Sequence, residues 1–344
     1  MKRRNGWILA TAMAAVAAVA VAKQAWAETR ELRMLTWTGY ADDDWIKEFE
    51  KEQNAKVNVV FAGTDDEFWS KMKGSEGADF DIFAVNTAEL QRYIDAGLAA
   101  PHDLDKIPNQ KETLPRFRDL SQVKGVMRDG KVYAIPWAFD SIGLIYDKKK
   151  VSPAPDSMAI LWDPKYKGKV LGYDASSHNF SFTALVLGYP DPFKLTPEQM
   201  EKVKEKLIDF KRNVLTFYSQ PDEALKIFES NDIALIWGNF GHQQLTQFAK
   251  AGHDVGFVIP KEGALAWLDT WVLSSKAKDK DLAEAWVNFV LQKKISQALT
   301  DRQGFGNTVT ELPGANPNDK LIWLLPVEDY TKRSDLWNEI KATP

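Results

Sequence analysis

From residue 32 to residue 97, short apolar runs alternate with segments of helical period, and this rhythm limits the fold more than any other feature of the chain. Residues 32–36, 57–61 and 80–85 read as strands. Trp45, Ile46 and Phe49 recur at helical spacing behind Asp42, Asp43 and Asp44, acids that favour the positive end of a helix dipole. Phe68, Trp69 and Met72 mark a second helix, and Leu90, Tyr93 and Ile94 a third, closed by Gly97. A strand–helix succession of this kind predicts a parallel sheet with helices on its faces.

A second unit opens near Phe139. Residues 141–146, 169–173 and 233–237 read as its strands, and residues 197–210 and 222–229 as its helices. Residues 267–273 then read as a strand returning to the first unit, with a helix behind it over 280–291. The expected division is residues 28–138 and 266–322 in one domain, and 139–265 with 323–344 in the other. One domain interrupted by another leaves a cleft at the crossovers, and such interfaces are favoured places for small-ligand sites.

The N-terminus sets the expected compartment. Lys2, Arg3 and Arg4 precede an apolar run over 7–22, and Ala25-Trp26-Ala27 offers small residues where a signal peptidase reads them. Residues 1–27 are therefore expected to be an export signal, cut after Ala27. The run is shorter than the roughly 20 residues a spanning helix needs. The segment carries four basic residues (Lys2, Arg3, Arg4, Lys23) and no acid, so its removal leaves 40 basic side chains against 48 acidic ones. That balance disfavours nucleic acid, whose binding depends on neutralising phosphates. Cysteine is absent, which excludes disulfides and thiolate chemistry. No cofactor is implied.

Catalytic constellations are missing. The four histidines, His102, His178, His242 and His253, show no paired spacing of a metal site. No Gly-x-Ser-x-Gly elbow and no glycine-rich phosphate loop occurs. What stands out is the placement of aromatics beside strand ends, where α/β sheets bind ligands. Trp37 and Tyr40 follow the first strand, Trp237 ends a buried one, and Trp267 stands two residues before Asp269. Residues two apart on a strand project to one face. An ammonium over an aromatic ring gains roughly 0.5–2 kcal/mol, and a carboxylate adds a charge-assisted hydrogen bond. Tryptophans at these positions are equally good core residues when each is considered alone.

Several motifs, in order and spacing, resemble the periplasmic spermidine/putrescine-binding proteins of bacterial ABC importers. They are Trp37-Thr38-x-Tyr40, Tyr133-Ala134-Ile135-Pro136-Trp137, Trp162-Asp163-Pro164, Ile236-Trp237-Gly238-Asn239 and Trp267-Leu268-Asp269. The resemblance implies an α/β two-domain clamshell, each domain a sheet flanked by helices, and no catalytic activity. Carried over by position, it implies ligand contacts from Trp37, Thr38, Tyr40, Asp174, Trp237, Trp267 and Asp269. Asn86, Ser177 and Phe305 stand where the family carries other polar or aromatic groups. The loss of a carboxylate at Ser177 opens the site to a diamine, a monoamine or an amine bearing its own carboxylate. The implied partners are a small cationic amine and an inner-membrane permease, the implied compartment is the periplasm, and a monomer is expected. A clamshell for an aminophosphonate or opine-like solute is the first rival reading, and an exported hydrolase the second.

Overall fold

The computed structural model describes residues 30–311 and 319–343. The expected export signal lies outside them. Two sheets organise the described chain. The first runs in the order Gly306–Asn307, Ala134–Ser141, Ala264–Ser274, Ile82–Asn86, Arg30–Thr36, Ala55–Phe61. The second runs Thr216–Tyr218, Val170–Tyr173, Leu235–Gly238, Gly143–Asp147, Val255–Val258.

The opening rhythm produces the expected elements. Arg30–Thr36 pairs in parallel with Ala55–Phe61 and Ile82–Asn86, with helices Asp43–Gln53 and Asp65–Gly74 between them. The second of these helices starts where the Thr64 hydroxyl accepts from the Glu67 N–H at 3.1 Å. The sheet as a whole is not parallel. Ala264–Ser274 runs antiparallel to both Ile82–Asn86 and Ala134–Ser141. The cause is the route of the chain: it leaves the first lobe along Ala134–Ser141 and returns beside that exit along Ala264–Ser274, so the two must run in opposite directions. All eleven residues of the returning strand are buried, the polar Asp269, Thr270 and Ser274 among them.

The crossovers lie side by side. Residues 141–146 form no single strand, because Ser141 ends a strand of the first sheet and Gly143 begins one of the second. Ile142 between them donates its N–H to the Leu265 carbonyl at 2.7 Å, which ties the outgoing crossover to the returning one. A third crossing follows Leu321–Trp323, which pairs with the start of the returning strand. The chain then ends in helix Tyr330–Ala342 against helices Ser176–Val186 and Pro197–Asn213 of the second lobe. Phe139, Asp140 and Ser141 pair within the first sheet with Leu268, Trp267 and Ala266.

Each lobe has its own aromatic core. In the first, Trp286 and Phe289 of helix Lys280–Val290 meet Phe49 with ring centroids 5.1 and 5.5 Å apart. In the second, Trp237 stacks on Phe182 at 4.4 Å. Among the described residues no helix is long and apolar enough to cross a membrane.

Candidate ligand-binding site

The lobes meet at the carboxyl ends of their parallel strands, where side chains and helix N-termini converge. From the first lobe, Trp37 and Tyr40 lie just beyond Thr36, Asp65 opens the helix after Phe61, and Asn86 ends its own strand. From the second, Tyr173 ends Val170–Tyr173, His178 sits in the first turn of the next helix, and Asn239 and Phe240 follow Gly238. These residues, with Gln243, Trp267, Asp269 and Phe305, line one interlobe cavity. Its volume is about 30 Å³, room for little more than a water molecule or two.

Asp269 is the acid at its centre. It is buried, and Tyr40 Oη donates to its Oδ2 at 2.6 Å. Burial pushes its carboxyl up to about 8; the Tyr40 hydrogen bond pulls it back down, and the charge of Asp65 adds to the rise. The register of the returning strand shifts between Asp269 and Thr270, so a bulge lies directly beside the acid. Trp267 projects to the same cavity and meets Phe305 edge-on, with ring centroids 5.4 Å apart. Phe305 also meets Tyr40 at 5.8 Å. Trp37 leans on Phe68 at 4.3 Å, and its indole N–H has no hydrogen-bond partner.

Asp65 is a second buried carboxylate. Asn86 Nδ2 donates to its Oδ1 at 3.1 Å, and its Oδ2 stands 3.3 Å from His178 Nε2 across the cleft. Burial raises its carboxyl to about 7, the Arg92 charge opposes the rise, and Asp66 assists it. Burial lowers the His178 pKa, so that ring is neutral. His178 Nδ1 lies 2.9 Å from Asn239 Oδ1, an acceptor, so Nδ1 carries the proton and Nε2 the lone pair.

Other contacts join the lobes around the cavity. Tyr173 Oη donates to the Gly63 carbonyl at 2.5 Å, and Tyr330 Oη to the Ala88 carbonyl at 2.8 Å. Ser176 donates both its N–H and its hydroxyl to Asp66, at 3.1 and 2.8 Å. Gly39 adopts φ +92° where the first lobe approaches Gln243; a Cβ there would lie 2.9 Å from its amide nitrogen. Thr38 belongs to this contact rather than to the cavity wall, with its hydroxyl bonded to Gln220 Oε1 at 3.1 Å.

Six of the ten residues singled out from sequence therefore line the cavity: Trp37, Tyr40, Asn86, Trp267, Asp269 and Phe305. Thr38, Asp174, Ser177 and Trp237 do not. Asp174 follows Tyr173 by one residue, which turns its side chain to the opposite face. There it accepts from Trp337 Nε1 at 2.7 Å and Lys341 Nζ at 2.9 Å. Ser177 offers its carbonyl to Arg333 at 3.1 Å. Trp237 is fully buried against Phe182 and Tyr173 in the core of the second lobe. Asp65, Tyr173, His178, Asn239, Phe240 and Gln243 complete the lining. Among the described residues no group of histidines and acids is arranged to hold a metal ion.

Two sheet-centred lobes around an interlobe cavity, joined by adjacent crossovers, define a clamshell binding protein. The profile of the family described as bacterial extracellular solute-binding protein matches residues 44–320, and the chain belongs to that family. It is thus a solute-binding protein and not an enzyme. It is 26% identical to spermidine/putrescine-binding periplasmic protein 1 of Haemophilus influenzae, over 99% of this chain and 95% of the relative. It is 27% identical to the putrescine-binding periplasmic protein PotF of Escherichia coli, over 98% of each. A solved structure described as a putative spermidine/putrescine ABC transporter from Listeria monocytogenes superimposes with a TM-score of 0.80 at 22% identity, covering 91% of this chain and 99% of that one.

Proposed function

We propose that the protein is the periplasmic substrate-binding component of an ABC importer and that it carries a small cationic amine in the interlobe cavity. One observation carries this reading: the acidic side chains lining the cavity are two, Asp65 and Asp269, and none of the lining residues is lysine or arginine. A bound ammonium would offset their burial, and Trp37, Trp267 and Phe305 offer it aromatic surface. A phosphonate or sugar phosphate would bring more negative charge to a site already short of cations. An opine-like solute would find its carboxylate facing acids, with neutral His178, Asn239 and Gln243 as the available polar partners.

The cavity is too small for a ligand several atoms long, so a solute enters when the lobes part and is enclosed when they meet. The boundary between the two domains falls at the adjacent crossovers near Ile142, residues 259–263 and residues 324–329. Contacts to both lobes give a ligand its differential affinity for the closed form, which an inner-membrane permease would receive.

A thermal-shift panel of amines, opines, aminophosphonates and sugar phosphates tests the proposal. Ligand that binds the folded state raises the melting temperature, by about 2.7 kcal/mol of stability at a hundred times its Kd. Putrescine or a related amine is expected to give the largest rise. A rise with an anionic or zwitterionic solute and none with amines would overturn the reading.

A further inference from the structure

We propose that Asp65 is a second ammonium subsite of this cavity, paired with Asp269 across Asn86, which makes the preferred ligand a short aliphatic diamine. The inference rests on the amine reading above. Asn86 is the register partner of Asp269 on the neighbouring strand, and its side-chain amide reaches Asp65 at 3.1 Å. One residue thus fixes the spacing of the two carboxylates. They belong to different elements of the same lobe, the returning strand and the first turn of helix Asp65–Gly74.

The surroundings leave Asp65 without a committed cation. Arg92 Nη2 donates to the Asp65 main-chain carbonyl at 3.0 Å, and its charge is paired with Glu89. Arg92 is further held between the rings of Trp69 and Tyr330, each 4.7 Å away. Asp66 is turned to Ser176. The other carboxyl oxygen faces His178, whose ring is held toward the neutral form by burial, and Tyr173 and Glu89 also lie close enough to act on it. Burial raises the Asp65 carboxyl to about 7, so near neutral pH it holds a proton for part of the time in the empty cavity, with its Oδ2 3.3 Å from His178 Nε2 of the opposite lobe. An ammonium arriving at Asp65 replaces that proton. A monoamine seated at Asp269 leaves the Asp65–His178 pair as it was. A diamine reaches both acids, so it gains a second charge-assisted contact and drives out a second proton.

Calorimetric titration of the mature protein with putrescine and with butylamine separates the possibilities. The native protein is expected to prefer putrescine by at least about tenfold, the value of one charged hydrogen bond. Asp65→Asn is expected to lose roughly ten- to a hundredfold in putrescine affinity and most of that preference. Titration of the native protein at pH 7 in two buffers of different ionisation heat counts protons without any variant, and putrescine is expected to release more than butylamine. Equal affinities for the two amines in the native protein, equal proton release, or an undiminished preference in a folded Asp65→Asn variant would each overturn the Asp65 subsite while sparing the amine reading. Absence of binding by both amines would overturn the two together.

Discussion

Asp269→Asn is expected to weaken amine binding by ten- to a hundredfold and to remove a pH-dependent loss of stability from the empty protein. The first effect follows from the loss of one charge-assisted hydrogen bond, worth roughly 1.5–3 kcal/mol. The second follows from burial. A carboxylate with water around it would contribute little here, but Asp269 is 7% exposed and its carboxyl is raised from 3.8 to about 8. Between those values the folded protein holds a proton that the unfolded chain has lost. The native state therefore gives up stability as pH rises through this window, with the full contribution present below 3.8 and gone above about 8. Asparagine keeps the shape and the Tyr40 contact without titrating. Melting curves of both proteins at pH 5, 7 and 9 are expected to diverge, with the variant gaining at the higher pH. Parallel curves would mean that the carboxylate is already ionised in the empty protein, and equal amine affinities would remove Asp269 from the site.

Arg333→Met is expected to cost about 3–5 kcal/mol of folding stability, the usual effect of breaking a buried, hydrogen-bonded ion pair. Arg333 is fully buried in the C-terminal helix. Its guanidinium donates to both oxygens of Glu328 at 2.9 and 2.8 Å, to Ser181 Oγ at 2.8 Å, and to the Ser177 and Pro192 carbonyls at 3.1 Å each. The substitution strands these acceptors where water reaches them poorly. The same contacts hold helix Tyr330–Ala342 against the helix that carries His178, so the last helix supports one wall of the cavity. Arg333→Lys should not rescue the loss, because an ammonium lacks the planar fork. Urea unfolding measures both variants; a loss below about 1 kcal/mol would show that the network contributes little.

The three parallel strands of the first lobe were legible because each is a short apolar-rich run and the helices between them have acidic first turns. The short strands Thr216–Tyr218 and Val255–Val258 were not, since runs of three and four residues are too short to register a period. Helix Ser176–Val186 escaped for the opposite reason: eight of its eleven residues are buried, so it has no polar face to reveal a helical period. At the site, Trp267 and Asp269 were readable from strand alternation. Asp174 was not, because the same alternation, counted from Tyr173, sends it away from the cavity. Asp65 carried a usable signal, the Thr64-x-x-Glu67 capping pattern directly after a strand. Applying the strand-end rule to every parallel strand would have reached Asp65, Tyr173 and Asn239. His178 and Gln243 arrive from elements whose meeting depends on how the lobes close, which local sequence does not encode.

The central claim is that the cavity between the lobes holds an amine on Asp269. A crystal structure of the protein with putrescine tests it most directly. An ammonium nitrogen is expected about 2.7–2.9 Å from an Asp269 carboxylate oxygen, with the aliphatic chain lying against Trp37 and Trp267. Putrescine bound outside the interlobe cavity, or inside it with Asp269 still bonded to Tyr40 alone, would contradict the account.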